Sequence, residues 1–512
     1  MPSKVFSSAL VGLDCLPIEV EVDMSPGLHC FNIVGLPDAA IKESKERVSS
    51  AIKNSGASPP HHSNRRVTVN LAPADLKKEG PSYDLPIAVA FLIASEQVAP
   101  KNVNLEKSLF LGELSLEGKV RHVNGILAAS LMAKERGFDT IFVPKADAAE
   151  AGLVENLEVF GIENLEDLFL HLEGKQLIEK TPQTDVSQYY TDETSPFDMA
   201  YVKGQENAKR ALEIAAAGGH NVLMSGPPGA GKTLLARTLP TILPPLTMDE
   251  ALQVTKIFSI AGRLGEQRPL ITNRPFRSPH HTASAPALVG GGNHPKPGEI
   301  TLAHRGILFL DEFPEFHRDV LEALRQPLED GVITVSRVQG TLDFPARFIL
   351  VAAMNPCPCG HATNPHKNCI CSPGQIAKYK RRISGPLLDR IDLHIEVPPI
   401  KYDKLASEKV AEESALVRQR VQGARSRQNE RFKNDPISVN SEMGLVQMKE
   451  HCQLDNLGQQ ILKNAVNTLH LSARAYHRVL KLGRTIADLA GENAILPSHL
   501  AEALQYRAKE EI

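Results

Sequence analysis

The sequence has no tryptophan, few aromatic residues of any kind (5%), and no apolar run approaching the roughly 20 residues that cross a bilayer. Its amino terminus, MPSKVFSSALVGLDCLPIEV, lacks a charged leader followed by a long apolar core and a cleavage site, so the expected compartment is the cytoplasm, with no membrane partner. Basic charge is not in excess: 57 Lys and Arg face 60 Asp and Glu, a net charge of −3. That argues against a surface coated in positive charge for nucleic acid but leaves room for a basic channel. Cysteine is sparse outside one place. Cys357, Cys359, Cys369 and Cys371 crowd into fifteen residues, while Cys15, Cys30 and Cys452 stand alone. In a reducing compartment such a cluster binds metal more often than it forms disulfides.

What is present describes an ordinary globular chain, 42% hydrophobic and 23% charged, whose 512 residues exceed one core. Residues 1–173 alternate β-rich runs (PIEVEVDM, RRVTVNLAP, TIFVP) with helical patterns such as DAAIKESKERVSSAIKNSG, an α/β domain. Residues 174–200 are polar and lack apolar periodicity, as a linker does. Strands and helices alternate again over 201–399, around a phosphate motif, as in a parallel nucleotide-binding sheet. From 400 to 512 the pattern is helical, with segments near 403–433, 442–453, 457–469, 472–490 and 498–510 that form a lid.

The motif is GPPGAGKT, Gly226 to Thr233, between an apolar strand (Asn221 to Met224) and a helix running to Leu239 that Pro240 should end. The loop Gly226, Pro227, Pro228, Gly229, Ala230, Gly231 can turn its backbone N–H groups toward ATP phosphates. Lys232 reaches the β and γ oxygens, Thr233 suits Mg²⁺, and Leu234 continues the helix. GILFLDE, Gly306 to Glu312, is a buried strand ending in two carboxylates: Asp311 for Mg²⁺ and Glu312 to activate water. A third strand, ARFILVAAMN, ends at Asn355, which could orient that water; the plain alternative is a turn Asn before Pro356. Arg390, in SGPLLDRIDLHIEV, closes a helical stretch before another strand; most arginines so placed form surface ion pairs.

The stretch FRSPHHTASAPALVGGGNHPKPGEITLAHRGILFLDEF, with AAMNPCPCG and SGPLLDRIDLHIEV, resembles the Mg-chelatase-like AAA+ ATPases of the ComM/YifB group, over nearly the whole chain. The resemblance implies a P-loop NTPase core with a helix-2 insert and a pre-sensor hairpin, an ATP site at each junction of a homohexameric ring, and a DNA helicase driving branch migration during uptake and recombination of transforming DNA. It places Val202 to Gln205 near the adenine, Arg390 against the neighbouring subunit's γ-phosphate, and Arg474 as the lid's arginine sensor, with Arg478 and Arg484 close by.

Lys232 and Asp311 lie 79 residues apart, room for a Gly- and Pro-rich excursion around LVGGGNHPKPGEI. GVITVSRVQGTLDFPARF reads as a β-hairpin with VQGT at its tip. In related ring helicases two such loops grip DNA in the pore, which nominates Lys296, Arg337 and Gln339; alternatively both loops pack between subunits. CPCGHATNPHKNCIC could hold tetrahedral Zn²⁺ on Cys357, Cys359, Cys369 and Cys371, with His361 and His366 as substitutes, or carry four free thiols.

KKEGPSYDLPIA and GELSLEGKVRHVNGILAASLMAKERGFDTIFVP resemble the proteolytic domain of Lon, a ribosomal S5 domain 2-like fold, with Ser82 at the nucleophile's place. The position of that family's dyad lysine falls on Ala129, so no amine is available there as base. Three classes compete: a DNA motor, a magnesium-chelatase-type motor subunit acting on a protein partner, and a Lon-like protease. Ala129 disfavours the third. The amino-terminal fusion and the cysteine cluster favour the first over the second.

Overall fold

Alternation within Asp14–Pro26 turns Ile18, Val20 and Val22 to one face, the pattern of a strand covered on one side. In the computed structural model, which describes residues 2–62, 64–190, 195–265, 268–291, 296–337, 340–365, 367–400 and 411–507, this strand pairs antiparallel with both Ser3–Val11 and Arg65–Ala72. The mixed eight-stranded sheet runs, in spatial order, Lys180–Thr181, Glu158–Ile162, Thr140–Pro144, Ser108–Phe110, Ser3–Val11, Asp14–Pro26, Arg65–Ala72, Cys30–Val34. The helix Asp84–Ala94 (DLPIAVAFLIA) is apolar nearly all round and is buried accordingly; it packs on the sheet and on Ala39–Asn54. Ser82 sits in the short 3₁₀ turn Pro81–Tyr83 and Ala129 is buried on Ile126–Glu135. Lys78, itself buried, donates its ammonium to the Pro73 carbonyl.

The chain divides into two compact units, Met1–Thr191 with Met248–Thr272, and Asp192–Thr247 with Asn273–Ile512. Residues 248–272 therefore belong with the amino-terminal unit, although the sequence reads them as part of the 201–399 section. The physical reason is local. The helix Met248–Ile260 buries Ala251, Val254, Ile257 and Ile260, and packs on Ile126–Glu135. Ser259 donates to Glu150 (2.5 Å) and accepts from the Gly125 N–H (3.0 Å), while Lys256 pairs with Asp14 (2.7 Å). The section read as linker also contributes an edge strand, Lys180–Thr181.

The second unit is built on a five-stranded parallel sheet in the order Phe276–Arg277, Ile307–Leu310, Ile349–Met354, Val222–Ser225, Leu393–Glu396. The three inner strands are almost wholly buried, as a parallel sheet covered on both faces requires. The helix after the phosphate motif, Lys232–Ile242, runs two residues past Pro240, which sits in its last turn, where little helix remains to disrupt. Helices Leu445–His451, Asn456–Thr468, Ala473–Ala490 and Pro497–Gln505 lie where the periodicity places segments; of the segment expected near 403–433, residues 401–410 lie outside the described residues and the helix is Ser414–Arg431. Val417, Val421, Leu462, Val479 and Leu482 share one core with Leu212, Val222 and Leu235, so these helices fold with the sheet in one unit rather than apart from it.

Candidate nucleotide site and cysteine cluster

Three strands of the parallel sheet deliver their carboxyl ends to one place, where open α/β sheets bind ligands. Val222–Ser225 leads into the loop at Gly226. A Cβ there would lie 2.2 Å from the Val397 carbonyl oxygen, so only glycine permits this approach. Gly229 and Gly231 adopt φ of +77° and +89°, turning the loop into the helix Lys232–Ile242 and leaving that helix's first N–H groups without intrahelical partners.

Lys232 folds back over the loop. Its Nζ donates to the carbonyls of Gly226 (2.6 Å) and Pro227 (3.1 Å) and to Oδ1 of Asn355 (3.3 Å). Burial lowers the Lys232 pKa, partly countered by Asp311. Thr233 donates to Oδ2 of Asp311 (2.9 Å), and Oδ1 of Asp311 accepts from the Glu312 N–H (2.9 Å). These are two hard oxygen donors facing each other beside the loop, a set that fits Mg²⁺. Glu312 takes a left-handed φ of +51° and its carboxylate pairs with His281 Nδ1 at 3.0 Å. Gln205 donates to the Pro398 carbonyl (2.5 Å) and approaches that of Ala230 in the loop (3.4 Å), and Val202 is buried.

The finger arginine and the sensor arginine that the resemblance names, Arg390 and Arg474, meet on one carboxylate. Arg390, 5% exposed, pairs with Glu329 and donates to the Pro386 carbonyl (2.7 Å). Arg474 pairs with the other oxygen of the same Glu329 (3.1 Å). Of the three lid arginines, Arg484 caps the backbone of Glu492 and Asn493 (2.6 Å each) with a side chain 3% exposed, and Arg478, 18% exposed, pairs with Asp392. The Arg474 side chain is 52% exposed and so the most available of the three to a ligand.

Lys296 is exposed on a short strand pair with Gly290–Gly291. The expected hairpin forms, Val332–Arg337 pairing antiparallel with Gly340–Pro345 and Arg337 standing opposite Gly340. The Arg337 side chain, Gln339 and His366 lie outside the described residues.

Sγ atoms of Cys357, Cys359, Cys369 and Cys371 all fall within 4.8 Å of one another, with Cys357 to Cys359 at 3.4 Å and both to Cys369 at 3.6 Å. A tetrahedral ion with Zn–S bonds near 2.3 Å separates its sulfurs by about 3.8 Å, so the set fits Zn²⁺. Backbone N–H groups of His361 and Ile370 hold the Cys359 thiol down at about 6. Cys369, despite a backbone hydrogen bond from Cys371, is pushed up to about 12 by desolvation and the neighbouring sulfurs. Several thiolates cannot accumulate here without a cation.

Sequence reasoning missed Glu329 and His281. No local pattern distinguishes Glu329 among surface carboxylates. His281 follows the strand Phe276–Arg277, whose neighbour Ile307–Leu310 runs into Asp311, and that adjacency exists only in the folded sheet.

Sheet order, loop and carboxylates together define a P-loop nucleotide-binding domain of the AAA+ type. Magnesium-chelatase models match in three segments: magnesium chelatase subunit ChlI over residues 198–405, subunit ChlI of Mg-chelatase over 20–147, and the ChlI carboxyl-terminal domain over 411–507. The competence protein ComM of Haemophilus influenzae is 44% identical over 510 residues, covering 98% of this chain and 97% of that protein. YifB of Salmonella typhimurium is 45% identical over 507 residues, covering 98% and 96%. Lon protease 2 of Bacillus subtilis is 27% identical over 169 residues, 30% of this chain and 29% of its own. The chain belongs to the ComM/YifB-like group of the magnesium-chelatase family. A chelatase-subunit model covers residues 20–147, so that section does not separate a DNA motor from a chelatase-type motor. No helix among the described residues is long and apolar enough to cross a membrane.

Proposed function

We propose that the chain is an ATP-hydrolysing DNA motor that assembles as a homohexamer in the cytoplasm and moves branched junctions during recombination of transforming DNA. The observation that carries this reading is end-to-end similarity to a competence protein combined with a P-loop site whose polar groups already touch one another. Lys232 binds the β and γ oxygens, and Thr233 and Asp311 would hold Mg²⁺, which neutralises phosphate charge. Glu312 takes the proton of the attacking water, Asn355 orients that water, and Val202 and Gln205 flank the base. Arg390 serves the neighbouring subunit's nucleotide and Arg474 its own. Cys357, Cys359, Cys369 and Cys371 hold structural Zn²⁺.

Lys296 on the helix-2 insert, with Arg337 and Gln339 at the pre-sensor hairpin, meets single- and double-stranded DNA in the pore through phosphates, which reconciles DNA binding with a net charge of −3. The amino-terminal section keeps a Lon-like fold without its protease chemistry, since Ala129 offers no base.

Purified protein with ATP and Mg²⁺ should bind DNA regardless of its sequence, lose affinity as salt rises, hydrolyse ATP faster with DNA, and migrate a Holliday junction. A Lys296→Ala and Arg337→Ala double variant should bind ATP yet lose migration. The second reading, a chelatase-type motor subunit, draws on the name of the family models. It requires a protein partner and no stimulation by DNA, and failure to bind or move a junction at low salt would leave it standing alone.

A further inference from the structure

The cysteine cluster sits against the nucleotide site on two sides. Strand Ile349–Met354 ends at Asn355, whose Oδ1 lies 3.3 Å from Lys232 Nζ, and the Met354 carbonyl accepts the Gly226 N–H at 3.2 Å. Two residues on comes Cys357, fully buried.

Between the second and third cysteines, Gly360 turns at φ +80° and donates its N–H to the Cys357 carbonyl at 2.9 Å. A Cβ built on it would lie 2.6 Å from Cδ and 2.7 Å from Cγ of Pro228, and 3.9 Å from Cγ of Asn355. The turn therefore rests directly on the apex of the phosphate loop, with no room for a methyl group.

The third and fourth cysteines carry the opposite support. Ser372, immediately after Cys371, caps the helix Pro373–Lys380 in a reciprocal box with Gln375. Burial pushes the Tyr379 hydroxyl of that helix up to about 12, and the nearby Asn355 backbone tempers the push. Cys357 and Cys359 thus lead to Pro228, and Cys369 and Cys371 lead to Tyr379, with Asn355 between them.

We propose that a divalent ion on Cys357, Cys359, Cys369 and Cys371 is a positioning device for the nucleotide site: by closing the nine-residue loop between Cys359 and Cys369 it fixes Gly360 on Pro228 and Tyr379 on Asn355, and so sets the rate of hydrolysis rather than the affinity for nucleotide. The proposal rests on reading the cluster as a zinc site and the loop as an ATPase site. Without the ion the two halves of the cluster meet only through weak thiol contacts, and the entropy of closing the loop is no longer offset by metal binding. Asn355 then loses support from both sides at once, and a misplacement approaching 1 Å in a positioned group costs heavily in rate.

The test uses the full chain and keeps all four ligands. Gly360→Ala should retain about one zinc per chain, bind a fluorescent ATP analogue within about threefold of the wild type, and lose on the order of tenfold in kcat. On an Asn355→Ala background the same change should cost almost nothing further, because both act through one side chain. Chelator-treated wild type that stays folded by circular dichroism should show the same split, nucleotide bound and turnover lost, reversed by added Zn²⁺. Wild-type kcat in zinc-loaded Gly360→Ala, or additive losses in the double variant, overturns the proposal while the zinc and ATPase readings survive. Wild type without zinc overturns the metal reading, and wild type that does not hydrolyse ATP overturns the enzymatic one. Either takes the proposal with it, and metal analysis and turnover tell the two apart.

Discussion

Nδ1 of His281 lies 3.0 Å from Oε2 of Glu312, so the carboxylate proposed to accept a proton from water is already engaged. His281 is held in turn by His280, 4.1 Å away ring to ring, and by the edge of Phe316. A base held by a hydrogen-bonding partner must release it before it acts. Both groups are partly exposed, and such a pair is worth about 0.5–1 kcal/mol. His281→Ala is therefore expected to raise basal ATP turnover about two- to fivefold with KM unchanged. Steady-state kinetics without DNA checks this, and a fall in kcat would show that His281 assists Glu312 instead of restraining it.

Lys232 and Glu312 should fail at different steps. Lys232→Ala removes the cation that reaches the phosphates and should weaken nucleotide binding. Glu312→Gln keeps the shape and should leave affinity near wild type while lowering kcat by about two to four powers of ten. Equilibrium binding and single-turnover hydrolysis separate them. Full turnover in Glu312→Gln means that another group is the base.

Arg390 and Arg474 share Glu329 within one subunit. If Arg390 acts across a junction it must leave Glu329 to do so, and Glu329→Gln should increase ATPase in the assembled ring. Mixing Arg390→Ala with Lys232→Ala, each inactive alone, should restore activity at junctions that combine one intact loop with one intact arginine. Verified mixed rings without ATPase would falsify action in trans.

The amino-terminal unit should lose stability as pH rises. Hydrogen bonding to Asp147, 2.5 Å away, raises the His122 pKa from 6.5 to about 9, against a smaller burial effect. The stability this supplies is full below pH 6.5 and is lost as pH climbs through 9. Burial raises Glu150 from 4.5 to about 7, with Ser259 and the Leu127 N–H working the other way. A buried acid with a raised pKa favours the folded state while protonated, so its ionisation adds a cost as pH rises from about 4.5 through 7. The two effects have the same sign. Calorimetry from pH 5 to 9 should show the transition of this unit falling, and Glu150→Gln should flatten the part below pH 8. A transition that rises over that range contradicts both assignments.

Much of this was legible because it depends on local backbone chemistry. Gly226, Gly229 and Gly231 announce a phosphate loop wherever they fall between an apolar strand and a helix, and ILFLDE announces a buried strand ending in acids. The carboxyl-terminal helices followed from period alone. What the sequence withheld is partnership at a distance. The apolar stripe of Met248–Ile260 says that it packs but not on which unit, and nothing near Glu329 marks it as the carboxylate that two arginines 84 residues apart will share. Gly360 against Pro228 is the same kind of fact, a contact between loops separated by 132 residues.

The packing of residues 248–272 on the amino-terminal unit carries a topological consequence. The chain crosses between units three times, after 191, 247 and 272, so no single cut divides the protein into its two bodies. A protease that nicks between Tyr190 and Ser195 should yield two bands under denaturing conditions and one species by native gel filtration, because Ser259, Lys256 and the apolar stripe still hold the severed piece. The fragment ending at Tyr190, expressed alone, would bare the seat of Val254 and Ile257 and should aggregate. Adding residues 248–272 as a peptide should restore its solubility.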